Sequence, residues 1–188
     1  MQGKIDPYTN SAFGFKNKLA RVIWWAVYVI FFRLSPKPMF GWRRFLLRLF
    51  GAKIGRGVAV YPGAHIWAPW NLVCADMVAV ANGVNIYNPE VITLNSHAII
   101  SQDSYLCGAT HDYNDPDFPL ISKEIIIDSY AWICARACVM PGVKVGEGAI
   151  LGMGGIATRN LSAWGIYVGS PAKFVRTRDK FFIESKNE

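Results

Sequence analysis

Residues 127–157 read IDSYAWICARACVMPGVKVGEGAILGMGGIA, and this stretch decides the fold. An aliphatic residue or alanine returns at every sixth position: Ile127, Ile133, Val139, Val145, Leu151 and Ala157. The fifth residue of each unit is small or β-branched: Ala131, Ala137, Val143, Ala149 and Gly155. This period differs from the helical period of about 3.6 and from the strand period of about 2. It predicts a parallel β-helix in which each unit forms one short, flat strand and one corner.

The same period extends upstream, and its interruptions define the cross-section. The earlier units begin at Ile54, Val60, Ile66, Cys74, Val80, Ile86, Leu94, Ile100 and Leu106. Only the steps after Ile66, Ile86 and Leu106 are longer than six, by two, two and fifteen residues. Each extension follows the third unit of a set, so three units form one turn of a triangular prism and every insertion leaves at the same corner. We therefore predict five stacked coils, which begin at Ile54, Cys74, Leu94, Ile127 and Val145.

A solenoid leaves both ends open, so the flanking segments are expected to cap it. We divide the chain into a basic, aromatic-rich segment at 1–53, the β-helix at 54–170 with a protruding loop at about 110–124, and a C-terminal helix at 171–188. Pro171 would begin that helix, with Phe174, Phe181 and Phe182 near one face. Several glycines are expected at corners that require positive φ: Gly55, Gly57, Gly146, Gly148 and Gly152.

Composition narrows the class of protein. The chain has 188 residues, of which 52% are hydrophobic, so it forms a core and is not disordered. No apolar run reaches the roughly 18 to 20 residues of a membrane-spanning helix. Residues 1–56 carry 11 Lys or Arg and one acid, or +10, whereas residues 57–188 carry 9 and 12, or −3. An anionic partner is therefore expected at the first third of the chain.

That first third contains two apolar, aromatic stretches. Residues 22–32 read VIWWAVYVIFF, and residues 40–50 alternate apolar side chains with Arg43, Arg44 and Arg48. Such segments are typical of helices that lie in the headgroup layer of an anionic membrane. They also suit helices that pack over the coil end or against another subunit. No module that reads nucleic acid bases is recognisable, so nucleic acid is not an expected partner.

The cysteines and the N-terminus indicate a reducing compartment. Cys74, Cys107, Cys134 and Cys138 form no C-x-x-C pair and have apolar or small neighbours, as core residues do. The N-terminus does not have the pattern of a signal peptide. We expect a cytoplasmic protein, peripheral on the inner face of the cell membrane if the N-terminal segment binds lipid.

Beyond the repeats, several motifs carry a family resemblance. They are the loop Thr110-His111-Asp112-Tyr113, the run at 132–137, the segment at 141–148 and the ending Gly169-Ser170-Pro171-Ala172-Lys173. Over about 40–185 the chain resembles hexapeptide-repeat acyltransferases, and among them the colanic acid biosynthesis O-acetyltransferase group. The resemblance implies a left-handed β-helix, a homotrimer and acetyl-CoA as co-substrate, with no metal.

Transfer of an acyl group to a hydroxyl requires a base, and a neutral imidazole suits that role near neutral pH. His65 and His97 lie inside regular units, whereas His111 lies where the long loop leaves the prism. The resemblance places the catalytic histidine at His111; the alternative is a solvated loop residue. Asp112 would orient the imidazole or hold the turn. Asn88, at the same corner one coil earlier, would contact the acceptor or intermediate, or serve as a turn residue before Pro89.

No Ser or Cys shows a nucleophile motif, so direct transfer in a ternary complex is favoured over an acyl-enzyme. Coenzyme A requires backbone amides along its pantetheine arm and cations at its phosphates. The resemblance indicates these positions: Ala135, Gly152, Gly154, Thr158, Arg159, Lys173 and Arg176. The alternative is that the glycines only form prism corners and the cations only solvate an end cap.

The function expected from the sequence is O-acetylation of a sugar hydroxyl in surface polysaccharide biosynthesis, with a free or lipid-linked glycan as acceptor. Two alternatives stay open. One is a non-catalytic β-helix scaffold at the membrane. The other is a zinc hydratase similar to γ-class carbonic anhydrases, although the spacing of His65, His97 and His111 departs from its three-histidine pattern.

Overall fold

The computed structural model describes residues 13–180, and the ends at 1–12 and 181–188 lie outside the described residues. Helices come first along the chain: α1 (Phe15–Val27), a π-helix (Tyr28–Phe32) and α2 (Phe40–Leu49). A single 3-10 turn (Pro69–Asn71) follows in the described region. Short strands make up the rest, so the all-β solenoid predicted from the period of six is confirmed.

The strands, in chain order, are β1 (Lys53–Ile54), β2 (Ala59–Val60), β3 (His65–Ile66), β4 (Leu72–Cys74), β5 (Ala79–Val80), β6 (Asn85–Tyr87), β7 (Ile92–Leu94), β8 (Ile99–Ile100), β9 (Tyr105–Cys107), β10 (Ala109–His111), β11 (Leu120–Ser122), β12 (Ile125–Ile127), β13 (Trp132–Ile133), β14 (Cys138–Val139), β15 (Lys144–Val145), β16 (Ile150–Leu151), β17 (Ile156–Ala157), β18 (Gly165–Val168) and β19 (Lys173–Thr177). Apart from β10 and β11, which form a separate hairpin, they form three sheets, one for each face of a prism, and the strands of these sheets are parallel except for β19. Sheet A contains β1, β4, β7, β12 and β15; sheet B contains β2, β5, β8, β13, β16, β18 and β19; sheet C contains β3, β6, β9, β14 and β17.

The corners agree with the predicted interruptions. Each coil runs from sheet A to sheet B to sheet C, and the three extended steps all occur between sheets C and A, which we call the C–A corner. The five coils predicted from Ile54 onward are present. A partial sixth turn follows, because Leu161 bridges to Val145 and β18 pairs with β16. The sequence analysis missed this turn, because Leu161 follows Ala157 after four positions and not after six.

Burial and backbone conformation explain the six-residue period. The first and fifth residues of the units point into the prism and are buried, as Ile127 and Ala131 illustrate. The fourth residue usually has positive φ, which glycine adopts without strain, as at Gly148. Gly55, Gly146 and Gly152 do not have the positive φ that was expected of them, and what requires glycine there is lack of space. A Cβ at Gly146 would lie 2.6 Å from the Ala163 nitrogen, so these glycines permit close approach of the next coil.

The C-terminal prediction was wrong where the structure describes it. Residues 173–177 form β19, an antiparallel partner of β18, and not a helix. The chain reverses at Gly169–Ala172, so the final strand closes the last coil as a ribbon. Phe174 contacts the ring of Tyr167 at a centroid distance of 5.6 Å, while Phe181 and Phe182 lie outside the described residues.

The N-terminal helices cap the first coil. Backbone carbonyls of this coil have no strand beneath them, and side chains of the helices donate to them. Trp24 Nε1 bonds the Ile66 carbonyl at 2.7 Å, and Arg43 Nε bonds that of Val60 at 2.6 Å. Arg44 and Arg48 reach the carbonyls of Val58 and Ile54 in the same way. The inner side of the N-terminal segment is therefore a cap. Within residues 13–180, no helix is both long enough and apolar enough to cross a bilayer.

Candidate active site

The long insertion of the third coil forms a β-hairpin that extends from the C–A corner. Strands β10 and β11 pair antiparallel, with His111 opposite Leu120. The base of the hairpin is fixed on the coil below, since Gly108 N donates to the Tyr87 carbonyl at 2.7 Å. A Cβ at Gly108 would lie 2.6 Å from that oxygen, so only glycine fits there. The hairpin therefore holds His111 at a defined height on the prism.

The imidazole of His111 is oriented by the opposite side of its own hairpin. His111 Nδ1 lies 2.8 Å from the Phe118 carbonyl oxygen, and the two rings stack at a centroid distance of 4.6 Å. A carbonyl can only accept, so Nδ1 carries the proton and the lone pair of the neutral ring is on Nε2. Phe118 has φ of 44°, a conformation uncommon for an aromatic residue, and this aims its carbonyl at the imidazole. The ring is thereby prepared to accept a proton at Nε2.

Asp112 contacts the turn. Its carboxylate accepts a hydrogen bond from Asn114 N at 3.1 Å, and its own N–H donates to the Pro119 carbonyl. The first contact is typical of a side chain that stabilises a turn, and the second is a backbone bond across the hairpin. Because the Phe118 carbonyl already bonds His111 Nδ1, this geometry favours the turn role over the orienting role.

Asn88 is buried inside the C–A corner of the second coil. Its Oδ1 accepts from Ala68 N at 2.9 Å and its Nδ2 donates to the Ala68 carbonyl at 2.7 Å. Both ends of the amide are thus bonded to the backbone of the coil below. The arrangement favours the structural role, and the structure does not bring Asn88 to the surface beside His111.

Three other ionisable side chains on sheet C, those of Tyr87, Tyr105 and Cys138, remain protonated near neutral pH. Burial raises the pKa of Tyr87 and of Tyr105, and a hydrogen bond with Cys107 adds to the effect at Tyr105. Burial likewise raises the pKa of the Cys138 thiol. Protonated phenols and thiols are poor bases and nucleophiles, so these groups do not substitute for the imidazole.

Three of the positions predicted for coenzyme A lie at the corner between sheets B and C. Gly154 N donates to the Ala135 carbonyl at 3.1 Å, and Gly152 N donates to the Tyr167 carbonyl at 2.7 Å. These amides therefore hold adjacent coils together and are not available to a pantetheine arm. The space beside Gly154 is open, since a Cβ there would meet no atom within 4 Å.

The predicted phosphate-binding cations divide between two places. Lys173 and Arg176 pair with Val168 and Ile166, and a β-bulge between these pairs puts both cations on the outer face of sheet B. Residues three apart on a regular strand point to opposite faces, and the bulge places these two on the same face. Lys173 is next to the Gly152 corner, because a Cβ on Gly152 would lie 2.8 Å from Val168 Cγ1. Thr158 and Arg159 are exposed at the C–A corner of the fifth coil.

The remaining histidines have separate environments. His65 is exposed on sheet C, with Nδ1 3.3 Å from Asn85 Oδ1. His97 lies at the corner between sheets A and B and stacks on Tyr130 at 4.8 Å. In the described part of the chain, no group of three His, Cys, Asp or Glu side chains is close enough to hold a metal ion.

Comparison with known proteins gives the family. No family model matches the chain. A protein of Escherichia coli strain K12 named as the colanic acid biosynthesis acetyltransferase WcaF is 38% identical over 162 residues, which cover 86% of this chain and 89% of that protein. The chain belongs to this acetyltransferase family.

Solved structures of low sequence identity share the fold of this acetyltransferase. A hexapeptide-repeat acetyltransferase from Vibrio cholerae, crystallised with acetyl-coenzyme A, superposes with a TM-score of 0.81 at 17% identity, over 91% of this chain and 93% of that one. A galactoside acetyltransferase in complex with coenzyme A gives 0.77 at 18% identity, over 95% and 92%. The fold class predicted from the repeats and the resemblance, a left-handed parallel β-helix, is therefore confirmed.

Phe118 is a residue of the candidate site that the sequence analysis missed. Its role depends on a carbonyl and on a positive φ, and neither is a property of the side chain. The only available signal is the number of residues in the loop, which permits a hairpin that brings residue 118 back to His111.

Proposed function

We propose that this protein is an O-acetyltransferase that moves acetyl from acetyl-CoA to a sugar hydroxyl in surface polysaccharide biosynthesis, with His111 as general base in a ternary complex. The observation that carries the proposal is the hydrogen bond from His111 Nδ1–H to the Phe118 carbonyl at 2.8 Å. It leaves the basic nitrogen of a neutral imidazole on Nε2, at the end of a hairpin anchored on the prism.

The reaction balances without a covalent enzyme intermediate. Nε2 accepts the proton of the acceptor hydroxyl while the hydroxyl oxygen attacks the thioester carbonyl carbon. The tetrahedral adduct then expels the sulfur of coenzyme A, which takes the proton back from the imidazolium. The products are an acetyl ester and free coenzyme A. The raised pKa of the Cys138 thiol supports direct transfer, because a protonated thiol is a weak nucleophile.

Acetyl-CoA is the donor best supported by the comparisons and by charge. Two structures of the same fold are complexes with acetyl-coenzyme A or coenzyme A. In this chain, Lys173 and Arg176 share one exposed face beside the Gly152 corner, which suits the anionic end of the ligand. Use of acetyl-CoA is consistent with a cytoplasmic location.

The acceptor class rests on the relatives. WcaF is named for colanic acid biosynthesis, and a neighbour in structure is named for galactoside acetylation. A sugar hydroxyl of a surface polysaccharide, or of its lipid-linked precursor, is therefore the proposed acceptor.

A homotrimer is the proposed assembly. Ile99 and Trp132 are exposed on sheet B and lie directly opposite each other in register. A second copy of the chain is the proposed cover of this apolar strip, as the resemblance to trimeric acyltransferases implies. Light scattering on the purified protein would give the mass of a trimer; the mass of a monomer would remove this part of the proposal.

The decisive experiment incubates the purified protein with acetyl-labelled acetyl-CoA and a panel of free and lipid-linked sugars. We expect label in an ester product and stoichiometric release of free thiol. Ester formation must fail in His111→Ala and persist in the matched variant His65→Ala. A protein that binds no coenzyme A and acetylates no sugar in the panel would instead be the β-helix scaffold.

A further inference from the structure

The N-terminal segment has two opposite sides, and the cap uses only one. Trp24, Tyr28 and Phe32 are buried against the first coil, and Trp24 is only 3% exposed. The other side of α1 and the π-helix carries large apolar residues that face away from the protein: Phe15, Leu19, Val22, Ile23, Trp25, Val29 and Ile30. Phe15 is 79% exposed and Trp25 is 63% exposed. A surface helix of a globular protein normally presents polar residues there.

The exposed residues follow the helical period. Four exposed residues of α1 stand at positions i, i+4, i+7 and i+8 and so lie along one stripe: Phe15, Leu19, Val22 and Ile23. At about 100° per residue, Lys16 and Lys18 lie near the two edges of this stripe. Both lysines are exposed. The stripe is therefore apolar along its middle and positively charged along its edges.

Aromatic residues continue this surface onto α2. Trp42 Nε1 donates to the Phe31 carbonyl at 2.9 Å, and the Trp42 ring stacks on Phe45 at 5.8 Å. Phe31 and Phe45 are themselves exposed. We call this continuous surface, from Phe15 to Phe45, the outer face of the N-terminal segment.

We propose that the outer face docks on an anionic lipid bilayer, with α1 lying in the headgroup layer and the β-helix extending away from it. Amphipathic helices with aromatic residues on one face and cations at its edges bind membranes in this way. The proposal does not depend on the acetyltransferase reaction.

Charge favours a lipid surface over a second copy of the chain as the occupant. No Asp or Glu occurs between Asp6 and Asp76, so the segment repels another copy of itself and attracts phosphate headgroups. The cations that we expect to contact the headgroups differ from the arginines that the sequence analysis associated with membrane binding. Arg43, Arg44 and Arg48 bond carbonyls of the first coil, so we assign the headgroup contacts to Lys16 and Lys18, which are exposed at the edges of the stripe.

The first experiment measures co-sedimentation of the full-length chain with vesicles of phosphatidylglycerol and phosphatidylcholine. We expect the wild-type protein to bind, and the triple variant Val22→Ser/Trp25→Ser/Ile30→Ser to bind at least about tenfold more weakly. These side chains are exposed, so thermal melting should be unchanged. The matched control is Met77→Ser/Met153→Ser/Val175→Ser, which removes three exposed apolar residues from the β-helix and should bind as wild type does.

A second measurement separates charge from insertion. Lys16→Gln/Lys18→Gln should weaken binding to vesicles with phosphatidylglycerol and have no effect on the weaker binding to pure phosphatidylcholine. Brominated lipids should quench tryptophan fluorescence in the wild-type protein and much less in Trp25→Phe.

Two results would overturn the proposal. One is wild-type protein that stays in the supernatant with anionic vesicles at low salt. The other is a triple variant that still binds vesicles but changes its mass in light scattering, which would make the outer face a protein interface. Neither result bears on acetyl transfer, which is assayed without lipid.

Discussion

Arg43 and His111 are polar side chains on short elements outside the regular coils, and the structure uses them in opposite ways. The guanidinium of Arg43 is buried and donates to the Val60 carbonyl, to Ser35 Oγ and to the carbonyls of Pro36 and Lys37. The imidazole of His111 is half-buried, and one backbone carbonyl fixes its Nδ1 proton. The guanidinium of Arg43 donates within the fold, whereas the imidazole of His111 keeps Nε2 as an acceptor, as the proposed general base requires.

The difference shows how a structural polar residue can be distinguished from a chemical one. Both are held by backbone carbonyls, so the presence of hydrogen bonds does not separate them. They differ in whether the side chain still offers a hydrogen-bond acceptor once its bonds within the fold are formed. Arg43 offers only donors and cannot act as a base at neutral pH, even though burial lowers its pKa. His111, with its Nδ1 proton donated to the Phe118 carbonyl, retains Nε2 as an acceptor.

The largest expected effect is on kcat, and it tests the role proposed for His111. His111→Ala removes the base, so we expect kcat to fall by roughly a hundred- to ten-thousand-fold. Folding and coenzyme A affinity should be nearly unchanged, because the ring lies on a protruding hairpin. Steady-state kinetics with an identified acceptor give the result. Near-normal turnover would remove His111 from the mechanism.

The structural role of Arg43 in the cap is tested by the variant Arg43→Ala. The change removes the guanidinium donor from the Val60 carbonyl at the coil end and from the Pro36 and Lys37 carbonyls of the cap, and we expect a loss of about 3–4 kcal/mol in the free energy of unfolding. Urea denaturation measures it, with the exposed Lys53→Ala as a control near zero. Turnover per folded molecule should not change. A fall in kcat at unchanged stability would contradict the assignment of Arg43 to the cap.

Asn88 was a candidate for both kinds of role, structural as for Arg43 and chemical as proposed for His111, and one variant distinguishes them. Asn88→Ala would leave the Ala68 N–H without its acceptor and remove one of the two donors to the Ala68 carbonyl, at a cost of about 1–3 kcal/mol in unfolding free energy. The KM for the acceptor should be unchanged in the folded fraction. A raised acceptor KM with normal stability would show instead that Asn88 contacts the substrate.

The smallest effect concerns exposed cations. Lys173→Ala with Arg176→Ala should weaken coenzyme A binding roughly three- to tenfold, and the difference should shrink as salt rises, since exposed charges are screened. Titration calorimetry at two salt concentrations measures it, and Lys53→Ala serves again as the control. Unaltered affinity in the double variant would show that these cations only solvate the end ribbon.

The repeats made most of the fold predictable. Ile54 to Ala157 keep their period because positions one and five must fill a narrow prism, and this requirement is visible in side-chain size. The segments at the two ends of the β-helix are not governed by this packing requirement. The chain after Pro171 forms a strand because β18 offers a free edge, and this edge arises from a sixth turn that the period does not show.

The candidate site was predictable only in part. The loop that leaves the prism identified the position of His111, because catalytic groups often lie on loops held by a rigid scaffold. The carbonyl of Phe118 and the bulge that aligns Lys173 with Arg176 depend on backbone conformation, which side-chain types do not specify. Asn88 has a residue type that suits either role, and only its burial favours one.

The two caps also determine how molecules of this shape can aggregate. An open β-helix end is a row of unpaired backbone groups on which a further chain could stack without limit. At one end, Arg43, Arg44 and Arg48 bond the carbonyls that would accept such a chain. At the other, β19 runs in the reverse direction and carries a bulge and exposed cations. Growth along the axis into fibrils is therefore blocked at both ends, and contact between copies is directed to the flat faces of the prism.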